Sequence, residues 1–280
     1  MANQVHYSLS TRTMLATTMV ALSLSTSGAA QWLGHVTPGL PRGIDGGPNL
    51  RAAAPRSADG KPMLSGVWQA EPDPTGTPEG TAGGVLPRYM LDITRDLKPG
   101  ALFQPSAAAI FKARADNLYR DSPAIRCLPL GVSRLDSYTH PFKIVQAAGL
   151  IVILYESQTL FRQIFMDGRA LPENPQPAWL GYSVGRWDGD TLVVSTAGFT
   201  DKTWLDSHGH PHTEAMRLTE RFTRRDTSRM DIEVTIDDPA SYTRSLTYSQ
   251  PHRLMPDGEL IEYICNENNE AHFPLVGSKP

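Results

Sequence analysis

The segment Asp201-Lys-Thr-Trp-Leu-Asp-Ser-His-Gly-His-Pro-His-Thr-Glu214 places three of the chain's eight histidines, His208, His210 and His212, among the acids Asp201, Asp206 and Glu214. Imidazole exchanges a proton near neutral pH and ligates metals, and a neighbouring carboxylate fixes its tautomer and raises its basicity. Three chemistries follow. In the first, His210 or His212 carries a proton and Asp206 or Glu214 orients it, which suits proton abstraction beside a carbonyl or the elimination and addition of water. In the second, His208, His210 and His212 share one face of an extended chain and hold zinc or another divalent metal with one position open. In the third, the acids bond backbone N–H groups and the segment is a structural or surface loop. Gly209 and Pro211 disfavour a regular strand and point to a loop at a cavity mouth, with one or two working histidines and no cofactor.

Aromatic side chains supply candidate walls for a ligand. Tyr182, Trp187 and Trp204 could stack on a ring-bearing molecule with His208 beside them, although rings at this density also serve as core. In Thr219-Glu-Arg-Phe222, Glu220 and Arg221 point to opposite faces of a strand. The reading assigns Arg221 to the interior, within reach of a ligand, and Glu220 to the surface beside Arg224 or Arg225. Glu262-Tyr263 and Asn266-Glu267-Asn268 form a second polar concentration, either at the same mouth or in a terminal loop. No Gly-x-Ser-x-Gly elbow, phosphate-cradling loop or dinucleotide fingerprint occurs, which argues against an α/β-hydrolase, an NTPase and a Rossmann dehydrogenase.

The elements that must position these residues change character along the chain. Residues 1–30 hold one charge, Arg12, then an apolar stretch from Met14 to Leu24 and small residues up to Ala30, the pattern of a secretory signal peptide cut after Ala30. The apolar run falls short of the roughly 20 residues of a membrane span. Losing Arg12 takes the formal net charge from −3 to −4, and no basic stripe remains for nucleic acid. A secreted or periplasmic protein with a small-molecule ligand or substrate, and no membrane span in the mature chain, is expected. Cys127 and Cys265 either pair in that oxidising compartment or remain buried thiols.

Residues 31–63 are rich in Gly, Pro, Ala and Arg and read as an extended arm; Glu71–Gly84 reads as linker. The domain then runs from 64 to 280. Pro105–Tyr119 predicts one helix, capped by Ser106, with Ile110, Phe111, Ala115 and Leu118 as its apolar stripe. Ala124–Arg134, broken by Pro129 and Gly131, predicts an ordered loop. From Phe142 onward short strands follow one another: 142–147, 150–156, 160–166, 182–187, 191–197, 217–224, 230–236, 245–248 and 260–265. Period-two alternation in Met230-Asp-Ile-Glu-Val-Thr-Ile236 buries one face only, whereas Leu150-Ile-Val-Ile-Leu-Tyr155 lacks it and predicts cover on both faces. Short loops between strands imply a mainly β protein, an antiparallel meander closing into a barrel.

The runs Phe161-Arg-Gln-Ile-Phe-Met-Asp-Gly-Arg169, Gly181-Tyr-Ser-Val-Gly-Arg-Trp-Asp-Gly-Asp-Thr-Leu-Val-Val194, Asp201-Lys-Thr-Trp-Leu-Asp206, Gly209-His-Pro-His-Thr-Glu-Ala215 and Thr219-Glu-Arg-Phe222 resemble an uncharacterised family of secreted bacterial proteins. That resemblance implies one module and no particular reaction. Gly66-Val-Trp68 is similar to the first-strand Gly-x-Trp of lipocalin-like (calycin) barrels, which implies a closed barrel with an arginine, here Arg221, packed on the Trp and a cavity for an apolar molecule. The resulting expectation is a lyase or isomerase acting on a small, partly apolar, aromatic or terpenoid-like substrate. A non-catalytic periplasmic carrier and a metal-dependent hydrolase are the alternatives.

Overall fold

The computed structural model describes residues 35–71, 92–94 and 102–267. The segment read as a signal peptide lies outside them. Nine strands close into a barrel: β1 (Gly66–Ala70), β2 (Phe142–Ala147), β3 (Leu150–Tyr155), β4 (Phe161–Phe165), β5 (Tyr182–Asp188), β6 (Thr191–Ala197), β7 (Arg217–Arg224), β8 (Arg229–Asp237) and β9 (Leu246–Leu254), with β9 returning to β1. Every pairing is antiparallel except β4–β5, which run parallel and meet only at Ile164↔Ser183 and Phe165↔Val184. The long connection between them reverses the chain before β5 begins, so the meander has one parallel seam.

Alternation builds the interior. Met230, Ile232, Val234 and Ile236 point inward from β8 and are almost inaccessible, as are Phe222 from β7 and Ile153 from β3. Between β5 and β6 the chain reverses in the two-residue turn Gly189-Asp190, where Gly189 (φ +60°) supplies the positive φ that hairpins of this length require.

At the end where β1 begins, Trp68 is wholly buried and its indole N–H donates to Leu64 O (2.8 Å). The guanidinium over its ring belongs to Arg224, at 4.9 Å, and not to Arg221 as expected. The N-terminal arm is irregular and pinned beside this end: Arg42 pairs with Asp257, Arg56 with Asp190, and Thr227 Oγ1 donates to Ala52 O.

Five elements differ from expectation. The expected loop at 124–134 instead contains a 3-10 turn, Pro123–Arg126, and the first half of a short helix. Helix α1 (Pro105–Asp116) is capped by Gln104 without a side-chain bond, not by Ser106, and its stripe fails: Ile110 is exposed, and Leu118 lies beyond the helix. Strand β3 is covered on one face only, because α1 does not lie over it; Leu154 stays exposed beside Phe161. Finally, 260–265 forms no strand but touches the barrel through a bridge from Tyr263 to Ser157, while β9 extends to Leu254 through Pro251, whose carbonyl accepts Glu71 N–H.

Cys127 and Cys265 form a disulfide that ties the 3-10 turn to the C-terminal segment across a separation of 138 residues. In the chain-entropy account, a loop of that length restricts the unfolded chain by about 5 kcal/mol. Cys127→Ser with Cys265→Ser is therefore expected to lower unfolding stability by up to that amount, read from the urea midpoint; an unchanged midpoint would refute the stabilising role.

Candidate functional site

The second helix, α2 (Val132–Ser137), has all six residues buried and sits where β3 ends. Tyr155 Oη donates to Asp136 Oδ1 at 2.6 Å, and His252 Nε2 lies 2.7 Å from Asp136 O. On its other side Ser133 Oγ donates to Leu205 O at 2.7 Å, which joins the helix to the histidine-bearing loop. Gly131 (φ +85°) permits this approach, since a Cβ there would meet Thr203 at 3.1 Å.

Beneath α2 the barrel interior is polar. Arg162 from β4 donates to Glu220 Oε1 on β7 (2.9 Å), Ser183 Oγ on β5 (3.0 Å) and Thr196 Oγ1 on β6 (2.8 Å), and pairs through its other terminal nitrogen with Glu220 Oε2. Burial opposes the Arg162 charge, but Glu220 outweighs it and holds the guanidinium protonated. Asp136 Oδ2 stands 3.7 Å from Arg162 Nη1. Burial first, and the neighbouring Glu220 charge second, raise the Asp136 carboxyl well above the ordinary range. A carboxyl whose charged form is disfavoured thus lies beside a fixed ion pair, away from water.

In the loop 199–213, Asp206 is fully buried. Its Oδ1 accepts His208 N–H (2.9 Å) and His210 N–H (3.2 Å); its Oδ2 accepts Ile93 N–H (3.1 Å) and lies 2.6 Å from His210 Nδ1. Burial would raise this carboxyl, but the charge and hydrogen bond of His210, then His208 and Ile93 N–H, hold it below the usual value. The His210 ring lies against Phe103 (centroids 5.6 Å apart, stacked) and Phe111 (4.5 Å). Helix α1 therefore contributes Phe111 to the site. It also contributes Arg114, which lies over Trp204 and donates to Gly209 O (2.9 Å); Gly209, at φ +83°, lets the loop pass beneath Arg114.

The other histidines part company. His212 is buried between Thr203 Oγ1, 2.6 Å from Nε2, and Thr213 O, 3.1 Å from Nδ1. Donation from Nδ1 and acceptance at Nε2 satisfy a neutral ring, and burial lowers its pKa. His208 Nδ1 lies 4.0 Å from Asp206 Oδ2 and has no hydrogen-bond partner. The three rings do not converge on one point, so the expected His208–His210–His212 metal triad is not assembled; Gly209 and the bonds to Asp206 and Thr203 send them apart. A different group, Asp92, Asp206 and His208, brings one ligand atom each to within 4.8 Å of one another. An oxygen–nitrogen set of this kind suits a divalent cation.

Glu214 is exposed on the turn after His212, and the hydrogen bonds of the His210 and His212 rings go instead to Asp206, Thr203 and Thr213. Trp204 is buried in the loop. Trp187 and Tyr182 lie elsewhere: Trp187 lines a hollow of about 480 Å³ with Ser57 and Met166 at the far end of the barrel. Tyr182 faces outward, bonded to Arg169 (2.9 Å), beside a groove of about 280 Å³ at the β4–β5 seam. Arg221 also points outward and pairs with Asp188 at 3.1 Å. Its assignment and that of Glu220 are the reverse of those expected. The phase of β7 explains this, because Leu218, Glu220 and Phe222 share one face and the two apolar residues take it inward.

Arg162, Asp136, Arg134, Phe103 and Phe111 escaped sequence reasoning. Arg162 had a signal: it is in phase with Ile164, a charge on the apolar face of its strand. No protein-family model, curated protein or solved structure matches this chain. Among the described residues, no helix is long and apolar enough to cross a membrane. A closed barrel of this kind is a scaffold able to hold a small apolar molecule, here with a cluster of potential metal ligands at one end.

Two outcomes follow. Glu220→Ala leaves a buried guanidinium without its counter-charge and should cost about 3–5 kcal/mol in urea unfolding, whereas Arg162→Met with Glu220→Leu should cost far less; equal losses would contradict the assignment. His252, fully buried, is pushed down to about 4 from an ordinary 6.5 because burial outweighs the carbonyls of Asp136 and Gln250. The unfolded chain takes up that proton first, so the folded state is penalised as pH falls. Stability should decline by about 3 kcal/mol between pH about 6.5 and 4. His252→Gln should remove that part of the slope, as measured by unfolding at a series of pH values.

Proposed function

We propose that this protein is a secreted enzyme of the lyase or isomerase kind, acting on a small, partly apolar substrate by acid–base chemistry at the loop-covered end of the barrel. The 2.6 Å contact between Asp206 and His210 Nδ1, inside an aromatic niche, carries the reading. Asp206 is buried and held ionised, so it fixes the imidazole tautomer and leaves Nε2 as the atom that takes and returns a proton. Phe103, Phe111 and Trp204 provide apolar walls suited to an aromatic or terpenoid-like body. His212 is a positioning residue here, since both its nitrogens are occupied. The disulfide supports an oxidising compartment, and the resemblance to secreted bacterial proteins points the same way.

Incubating the protein with small-molecule extracts and recovering bound compounds by mass spectrometry tests this. The wild type should return a converted compound, and His210→Gln should bind the same compound while converting it about 10²–10⁴-fold more slowly. Recovery of the unchanged compound from both proteins would assign a carrier and overturn the enzymatic reading.

The free Nδ1 of His208 favours a second reading, a metal-dependent hydrolase built on Asp92, Asp206 and His208. A cation there would have to displace Ile93 N–H or His210 from Asp206. Elemental analysis showing less than about a tenth of an equivalent of transition metal after purification would count against a tight constitutive site.

A further inference from the structure

Arg134 is only 6% exposed, yet its Nε and Nη1 make no hydrogen bond. Those two nitrogens carry three of the five N–H donors of a guanidinium. The other buried arginines are treated differently. Arg162 donates to Glu220, Ser183 and Thr196, and Arg224 donates to the carbonyls of Asp226, Met63 and Thr227 while lying over Trp68. Because arginine does not deprotonate in proteins, Arg134 cannot escape the penalty of burial by losing its charge.

The carboxylate whose charge favours the Arg134 cation most is Asp206. Each Asp206 oxygen already has two nitrogen partners, drawn from the backbone of Ile93, His208 and His210 and from the His210 ring. Asp206 offers charge but no spare lone pairs. Arg134 is thus a buried cation whose Nε and Nη1 meet no protein acceptor, and its neighbour on α2, Ser133, bonds the carbonyl of Leu205, the residue before Asp206.

We propose that Arg134 binds the anionic head-group of the substrate, a carboxylate or a phosphate, so that the molecule processed at His210 is a small organic anion with an apolar body. The substrate class rests on the acid–base reading of His210; the anion site itself does not. Arginine suits either head-group because its planar donors match paired oxygens, and a water-excluded setting strengthens the contact. Such a group also anchors a substrate away from the reacting atoms and places them against the base.

Calorimetric titration of the full chain with benzoate, with its neutral isostere benzamide and with inorganic phosphate tests the site without any turnover. Benzoate should bind at least tenfold more tightly than benzamide, and Arg134→Met should erase the difference. Binding of inorganic phosphate alone would assign a phosphate head-group and still support the anion site. With no ligand added, Arg134→Met should raise Tm by about 2 °C or more, because an unpaired buried cation is removed. A fall in Tm would identify Arg134 as a structural residue and overturn the proposal. A crystal of the unaltered chain soaked in benzoate needs no variant: a carboxylate bonded to Arg134 supports the site, and ordered water alone at Nε and Nη1 overturns it. His210→Gln should keep benzoate binding in every case, so loss of turnover there with binding intact separates the two readings.

Discussion

The barrel is closed by the side chain of Arg162 as much as by its backbone ladder. Strands β4 and β5 meet at only two residue pairs, and they run parallel, so the seam between them is the weakest joint of the sheet. From β4, Arg162 reaches across that joint to Ser183 on β5, Thr196 on β6 and Glu220 on β7. Hydrogen bonds of a buried charged group take over where backbone pairing stops. The arrangement is possible only because Glu220 supplies the counter-charge inside the barrel, since a lone guanidinium there would be prohibitively costly. Once the interior is polar at this level, α2 can dock on it through Asp136, and the histidine loop can dock on α2 through Ser133. The candidate site is therefore the outer layer of a stack that begins at the seam.

Much of the barrel was legible in the sequence because alternation is a local signal. β2, β6 and β7 have the expected limits, and β8 differs by one residue at each end. What failed depended on context. Strand β9 was expected over 245–248, yet it runs on through Pro251, where the chain needs only the proline carbonyl. The stripe on α1 was read as a face for a sheet, but the helix meets loops and commits Phe111 and Arg114 to the His210 niche. The parallel seam left no local trace, because direction is set by where the connection after β4 runs.

The site was half legible for a related reason. Asp206 and His210 stand four residues apart, close enough for spacing to suggest their contact. The partners of that pair come from far away in sequence: Ile93, Phe103, Phe111 and α2. Glu220 and Arg221 show how a reading can fail with the information in hand. The apolar phase of Leu218 and Phe222 already placed Glu220 inside, but the interior was given to Arg221, the arginine that the barrel resemblance implies, and Arg162, in phase with Ile164 on β4, was passed over.

Asp136 and Asp206 are both buried, yet their carboxyls shift in opposite directions, because the donors and charges around them differ. Asp206 draws in three backbone N–H groups and an imidazole, enough to keep it ionised. Asp136 receives one hydroxyl and faces the Glu220 charge, which with burial favours its protonated form. Inside the barrel the charge of Arg162 is thus balanced by Glu220. Arg134, on the same short helix as Asp136, gains field from Asp206 without bonds. An acceptor arriving from outside the chain would satisfy its free donors without disturbing the Asp206–His210 pair.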